Sequence, residues 1–421
     1  MSSSSSARCT MGDIQAIDIV RLGAQGDGVA DGPSGPIFVP YALPGERVQA
    51  DVRGERARLI AVVEASPDRI APVCRHFTHC GGCAVQHLRG PTYLAWKREM
   101  VVAAFAARGI EVPVGSVATV GAGARRRASF SARRTGRGVT LGFHEAKGVE
   151  IVDLQECPVT ASAIVRALPG LRRLVEPLMS RRAPGRVVVT LAANGLDVAI
   201  EDVPGDPSPD VREFLAREAT ALKLARLTLS GDILYQATIP AVRFGTANVV
   251  LPPRSFLQAA PAAEAEMARL VTAAVGEAKR VVDLFCGMGT FTFPLAQRAS
   301  VLAVDGDKVA IAALDNAAKR TPGLKPIETK LRDLFREPLS VKELQPFEAA
   351  VFDPPRAGAA TQAAALAASS IKRVAAVSCN PATLARDARI LIDGGFKLER
   401  VTPIDQFLYS PHIEAVAVFR R

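Results

Sequence analysis

Cys379 stands in Ser378-Cys379-Asn380-Pro381, directly after the apolar run Arg373 to Ser378. Glu414 precedes a second apolar run, Ala415 to Phe419, and closes Ser410-Pro411-His412-Ile413-Glu414. Asp353, in Asp353-Pro354-Pro355-Arg356, follows a third. A thiolate and a carboxylate within reach of one ring suit addition followed by elimination. C5 of uracil is a poor nucleophile, but thiolate attack on C6 turns the ring into an enolate and makes C5 electron-rich. C5 can then take a methyl group from a sulfonium, and a base must remove the C5 proton before the thiolate leaves. Taken singly, each residue has a plainer reading. A lone cysteine is more often a small buried hydrophobe, and a glutamate opening a strand is usually a solvated end.

Val281-Val282-Asp283-Leu284-Phe285-Cys286-Gly287-Met288-Gly289-Thr290 reads as a strand running into a glycine-rich turn and then a helix. Glycines let a backbone approach a ligand closely, and open α/β sheets bind nucleotides at the carboxyl end of the first strand. Asp305 ends the next strand, where its carboxylate could accept both ribose hydroxyls. The dinucleotide pattern G-x-G-x-x-G requires a third glycine, and Thr292 stands there instead. A lone Gly-x-Gly also fits a plain tight turn; with Asp305 it becomes a compound signal.

These groups need a frame that brings strand ends together. From about Arg254 the chain alternates helix and strand. Ala263, Met267, Leu270, Val271 and Ala274 share a helical face, and short apolar strands are predicted at 280–285, 300–305, 348–353 and 373–378. That is the pattern of a parallel sheet covered on both faces. Its carboxyl edge would collect the cofactor turn, Asp353 and Cys379. Earlier in the chain, alternation in 17–22 and 46–52, punctuated by Gly26-Asp27-Gly28 and Asp31-Gly32-Pro33, predicts a small β-barrel. Strands are also expected at 138–143 and 186–191, and loops at 203–209 and 251–253. The chain shows no internal repeat.

The bulk properties agree with a multidomain enzyme. The 421 residues are 48% hydrophobic and carry a net charge of +10, which suggests two or three cores and a polyanionic partner. The longest charge-free run, 357–371, is too short and too rich in Ala and Ser to span a bilayer. The serine-rich start lacks an apolar signal core. A cytoplasmic protein with no membrane association is expected, a monomer being the expected state.

Seven cysteines are present. In a reducing compartment clustered cysteines are metal ligands or catalysts more often than disulfides. Cys74, Cys80 and Cys83 are spaced C-x5-C-x2-C, the Gly81-Gly82 pair lets that loop wrap closely, and Cys157 precedes Pro158. Four thiolates suit a [4Fe–4S] cluster or tetrahedral zinc, with His76, His79 and His87 as substitute ligands. Spacing alone leaves both open. Cys9 and Cys286 remain over, the first in the tail and the second expected as a packed residue. The stretch 112–144 contains no acidic residue but holds Arg125, Arg126, Arg127, Arg133, Arg134 and Arg137. Such a run suits phosphate contacts or a merely solvated surface. Phe130 between the clusters reads as core more than as a platform for a base.

Taken together, Asp353-Pro354-Pro355-Arg356, Ser378-Cys379-Asn380-Pro381 and His412-Ile413-Glu414 resemble the RNA uracil-5-methyltransferase family, and within it the bacterial 23S rRNA branch. The likeness covers nearly the whole chain. It implies a disordered tail over 1–11, an OB-like TRAM β-barrel that binds RNA over 12–66, and a central α+β domain with an iron–sulfur cluster and RNA-binding strands over 67–253. A Rossmann-like class I methyltransferase domain would occupy 254–421. It implies Cys379 as nucleophile and Glu414 as base. Contacts to S-adenosyl-L-methionine would fall on Gln258, Phe285, Thr290, Asp305 and Asp353, with Asp333 near the adenine. It also implies a [4Fe–4S] cluster, chiefly structural, on Cys74, Cys80, Cys83 and Cys157. The substrate would be 23S rRNA, with the tRNA T-loop uridine as the alternative, and the target base must leave its stack. Ala260, Thr290 and Asp305 depart from the Asn, Asn and Glu common in the family; the last two keep hydrogen-bonding groups. Asp-Pro-Pro-x also occurs in N-methyltransferases, which form no cysteine adduct, and a non-catalytic RNA-binding or iron–sulfur protein on the same fold is a third reading.

Overall fold

Short strands between Gly, Asp and Pro turns build the first sheet of the computed structural model, which describes residues 13–421; the predicted tail 1–11, with Cys9, lies outside the described residues. β1 (Asp13–Asp18), β2 (Arg21–Leu22), β3 (Gly28–Gly32), β4 (Gly35–Val39), β5 (Arg47–Arg53) and β6 (Arg56–Glu64) lie in the order β1-β5-β6-β4-β3-β2. In β5 the alternation holds, with Val48 and Ala50 joining Ile19, Ala30, Ile37 and Val39 in one apolar cluster. The run 17–22, expected as one strand, breaks after Asp18 and buries Ile19 at the break. At Gly28 a side chain is excluded, because a Cβ would lie 2.6 Å from the carbonyl oxygen of Ala42.

The chain forms two compact units. One holds the residues up to Trp96 together with Tyr409–Pro411, and the other Lys97–Leu408 with His412–Arg421. The division falls within α1 (Gly90–Ala106). In the second unit, after the two-residue β7 (Ala118–Thr119), comes a mixed sheet. Its strands are β8 (Arg127–Thr135), β9 (Gly138–Gly142), β10 (Gly185–Ala192), β11 (Gly195–Glu201), β12 (Arg226–Leu229) and β13 (Asp232–Gln236), ordered β13-β12-β11-β10-β8-β9. Helices α2 (Ser162–Val175) and α3 (Pro209–Ala221) pack on it and on each other. Pro209, read from sequence as loop, opens α3 at its first turn behind the Ser208 cap, where a missing N–H costs nothing. A hairpin of β14 (Ala241–Phe244) and β15 (Ala247–Val250) follows.

The larger sheet is ordered β18-β17-β16-β19-β20-β22-β21-β7. Its strands are β16 (Arg280–Leu284), β17 (Ser300–Asp305), β18 (Ile327–Leu331), β19 (Ala349–Phe352), β20 (Arg373–Ser378), β21 (Lys397–Asp405) and β22 (Glu414–Arg420), with β7 at the edge. Strands β16 to β20 run parallel, and β22 runs antiparallel to both β20 and β21. Val282, Leu284, Ala350, Phe352, Val374 and Ala376 enter one core, while Val281, Ala349, Val351, Ala375 and Val377 enter another. Alternate residues therefore go to opposite faces, and both faces are buried, as the continuous apolar runs predict. The predicted face of α4 (Pro261–Val275), with Ala263, Met267, Leu270, Val271 and Ala274, is buried on the second core. The intervening helices are α5 (Thr292–Ala296), α6 (Lys308–Arg320), α7 (Val341–Leu344), α8 (Ala360–Ala368) and α9 (Pro381–Asp393). Strand order reverses in sequence between β16 and β19, which opens a crevice at their carboxyl ends.

One ion pair lies inside the mixed sheet. The Arg226 guanidinium grips Asp197 through two bonds of 2.8 and 2.7 Å and also donates to the Leu251 carbonyl at 3.0 Å, all buried. Arg226→Met should cost about 3–5 kcal/mol, because it strands a buried carboxylate, whereas the double change with Asp197→Leu should recover most of that loss. Chemical denaturation of the two variants checks this.

Candidate active site

The carboxyl edge of the larger sheet bounds a cavity of about 720 Å³. Cys379, Glu414, Gln258, Phe285, Thr290, Asp305, Asp333 and Asp353 all line it, together with Phe256, Phe335 and Arg356. Residues from seven parts of the sequence thus meet in one place, and the topology explains how. Phe285 follows β16, Asp305 ends β17, Asp353 follows β19 and Cys379 follows β20. Because β22 is antiparallel, its first residue reaches the same edge: Ala415 pairs with Ser378, and Glu414 pairs with Ile404.

The cofactor turn is held by its own backbone. Phe285, Gly287 and Gly289 have φ of 62°, 54° and 98°, the left-handed region that a phenylalanine enters only under constraint. Its amide is tied to Val304 O at 2.9 Å. A Cβ at Gly289 would meet the Phe293 ring at 2.7 Å. Asp305 accepts from the Gly287 amide at 2.8 Å and the Asp307 amide at 2.8 Å, one on each oxygen. Its carboxylate is thereby oriented before any ligand arrives, and each oxygen retains a lone pair for a hydroxyl. Thr292, at the place of the missing third glycine, is fully buried and donates from its hydroxyl to Asp283 at 2.6 Å. Asp333 accepts from the Phe335 and Arg336 amides, and the Phe335 ring lies 5.4 Å from that of Phe285.

Electrostatics in the crevice are dominated by burial. Desolvation pushes Glu414 up to about 7, opposed by a hydrogen bond from Gln406. Asp353 lies well above the usual carboxylate range through burial, then through repulsion from Glu414 and Asp305. Burial followed by the charges of Glu414 and Asp353 raises the Cys379 thiol to about 11, with Arg356 acting the other way. Near neutral pH the resting site therefore holds a thiol and a Glu414 close to its midpoint, beside an Asp353 whose ionisation burial disfavours. A general base poised near 7 is well matched to proton removal.

Sequence reasoning missed Gln406 and Lys97. Gln406, 2% exposed, donates to both Glu414 and Gln258. Lys97 is wholly buried on Asp405. Neither belongs to a motif, and their partners lie 148 and 308 residues away. One further expectation changes, that for Arg126. Arg126 lies buried between Glu264 and the Gln258 carbonyl and so cannot meet a phosphate. Arg133 and Arg134 pair with Glu150 and Glu176. Phe130 is core, packed on Phe143, and Cys286 is buried as expected.

Cys74, Cys80 and Cys83 share one loop of the first unit, where the Gly82 amide points at the Cys80 sulfur at 3.4 Å. Cys157 belongs to the second unit. Among the described residues no group of three or more His, Cys, Asp or Glu side chains is arranged to hold a metal ion. No described helix is long and apolar enough to cross a membrane.

Comparison with known proteins supplies the family. The tRNA (uracil-5-)-methyltransferase family model matches residues 249–421. An uncharacterized RNA methyltransferase of Brucella suis is 48% identical over 96% of this chain and 97% of its own length. The 23S rRNA (uracil(1939)-C(5))-methyltransferase RlmD of Halomonas elongata is 35% identical over 94% of this chain and 88% of its own. Among solved structures, the Pyrococcus abyssi tRNA (uracil-54, C5)-methyltransferase, in complex with S-adenosyl-L-homocysteine, shares the fold. It has a TM-score of 0.74 and 23% identity, covering 96% of this chain and all of that one. With the cavity at the sheet edge and these relatives along nearly its full length, the chain belongs to the RNA (uracil-5-)-methyltransferase family.

Proposed function

We propose that this protein methylates C5 of a uridine in RNA with S-adenosyl-L-methionine, through a transient bond between Cys379 and C6 of the base. The observation that carries this reading is the single cavity lined by Cys379, Glu414 and all six candidate cofactor contacts. Its residues fit the cofactor. Asp305 is oriented for hydroxyls by two amides, Phe285 and Phe335 offer ring surfaces, and Gln258 and Thr290 supply polar contacts. S-adenosyl-L-methionine, when bound, supplies a sulfonium methyl as electrophile. Cys379 gives up its proton to solvent and attacks C6 as the thiolate, so that the S–C6 bond forms, the C5=C6 π bond opens and its electron pair passes into an enolate centred on C5 and O4. After C5 is methylated, Glu414 takes the C5 proton; the C5=C6 bond reforms and the thiolate leaves. Arg356 favours the thiolate over the thiol.

For the substrate we favour 23S rRNA, because the Halomonas elongata relative matches 94% of the chain at 35% identity. The tRNA reading rests on the family model, which matches residues 249–421 only. We read residues 12–66 as a TRAM-like RNA-binding barrel. A [4Fe–4S] cluster on Cys74, Cys80, Cys83 and Cys157 is supported by the cysteine spacing and by the N–H directed at Cys80. Those thiols would hold it, and its chemistry there is structural. A cytoplasmic monomer completes the reading.

Cys379→Ala should reduce methyl transfer to below about one thousandth of the unsubstituted rate and abolish any adduct with 5-fluorouridine RNA. A variant that forms no adduct yet still methylates would exclude the covalent route and favour transfer to an amino group. Glu414→Gln should slow turnover about 10²–10⁴-fold while a methylated RNA–protein complex accumulates on denaturing gels. Turnover should rise with pH through about 7, because Glu414 must be ionised to act and burial holds its carboxyl there; a flat profile between pH 6 and 8 would contradict this. Labelled cofactor offered with 23S rRNA and with tRNA separately decides the substrate. Protein purified without oxygen should contain iron and acid-labile sulfide in equal amounts, and Cys80→Ser should lose both.

A further inference from the structure

Gln406 lies one residue beyond β21 and is 2% exposed. Its carbonyl oxygen accepts from the backbone amides of Ala259 at 2.9 Å and Ala260 at 3.4 Å. Its amide nitrogen donates to Oε1 of Gln258 at 2.8 Å and to Oε1 of Glu414 at 2.9 Å. Every strong hydrogen-bonding direction of the group is therefore used. The side chain cannot flip, because a flip would set its NH₂ against two N–H donors and its oxygen against a carboxylate and a carbonyl.

The backbone that carries Gln406 is fixed as firmly. Lys97 and Asp405 are both wholly buried. The Lys97 ammonium donates to Asp405 at 2.9 Å, to the Phe407 carbonyl at 3.4 Å and to the His412 carbonyl. It thus holds both ends of the loop that separates Gln406 from Glu414. On the other side, Arg126 ties down the Gln258 and Ala259 carbonyls. A glutamine with a single job could be left on a mobile loop; this one is braced from two directions.

We propose that Gln406 is a positioning residue for proton removal: its amide fixes the Glu414 carboxylate and ties it to Gln258, so that the base is aligned with the cofactor side of the crevice. This rests on Glu414 being the base. Oε1 is occupied by Gln406, which leaves Oε2 to take the C5 proton. The donated hydrogen bond also favours the ionised carboxylate. The titratable groups facing Glu414 are Asp353 beyond β19 and Cys379 beyond β20. Asp305 acts on Asp353, Arg356 acts on Cys379, and Lys97 is matched by Asp405 on β21. Among them Gln406 is the donor whose hydrogen bond lowers the Glu414 carboxyl.

The test uses the full-length protein with S-adenosyl-L-methionine labelled in the methyl group and RNA carrying tritium at uridine C5. Methyl transfer and proton removal are then read separately. In Gln406→Met, which keeps the length but cannot donate, the methylated adduct should form within about 3-fold of the unsubstituted rate. Tritium release should fall at least about 10-fold, the adduct should accumulate, and the pH midpoint of release should move upward. Gln406→Glu, which can still accept from the Ala259 and Ala260 amides, is the second variant should the first not fold. It should move the midpoint upward as well, by setting a second carboxyl against Glu414. Equal slowing of methyl transfer and release would make Gln406 a structural part of the cofactor pocket and overturn the assignment. So would unchanged rates, or an unmoved midpoint. No tritium release by the unsubstituted protein would instead remove the reaction itself, and the Gln406 assignment with it.

Discussion

Antiparallel pairing of β22 with β20 is the constraint on which the candidate site depends. In a wholly parallel sheet the last strand would begin at the opposite edge, and Glu414 would open it a full strand length from Cys379. Reversal brings the first residue of β22 beside the residues that follow β20, and the register Ser378 to Ala415 sets them side by side. That register is hard to lose. The strands are buried on both faces, so a one-residue slip would exchange the contents of two cores. The placement of Glu414 beside Cys379 is thereby secured by backbone ladders and by packing.

The same burial that secures the register creates the chemistry. Asp353, Glu414 and Cys379 share one crevice, where Glu414 raises the cost of ionising Asp353 and both carboxyls raise that of Cys379. A cationic group entering such a crevice favours both carboxylate and thiolate forms. Asp283 shows the limit of the effect: wholly buried under the cofactor turn and pushed up to about 7 by desolvation, it is engaged by Thr292 and serves the turn.

Bracing around Glu414 is polar and buried, an arrangement that stabilises little by itself but specifies one geometry. Lys97, Asp405, Gln406 and Gln258 form a chain of contacts in which each group is oriented by the next. Between Gln406 and Glu414 the segment Tyr409–Pro411 belongs to the first unit. There Tyr409 accepts from the amides of Ala84 and Val85 and donates its own to the Tyr93 hydroxyl. Ala84 directly follows Cys83, so the cysteine loop ends on this segment.

Some of this was legible from residue order alone. Apolar runs of strand length, the glycine turn and the helical face of α4 are local patterns, and they predicted the parallel sheet and the edge that carries Phe285, Asp305, Asp353 and Cys379. The break after Asp18, the helix opened by Pro209 and the burial of Arg126 were not legible, because partners distant in the chain decide them. Gln406 is the clearest case. Nothing in its neighbours distinguishes it from a surface glutamine, and only the folded chain sets its amide between Glu414 and a segment 148 residues earlier. Residue types and short-range spacing determine which chemistry is available and which strand carries each group. Which groups orient one another, and which are stripped of water, is decided by long-range strand pairing and burial.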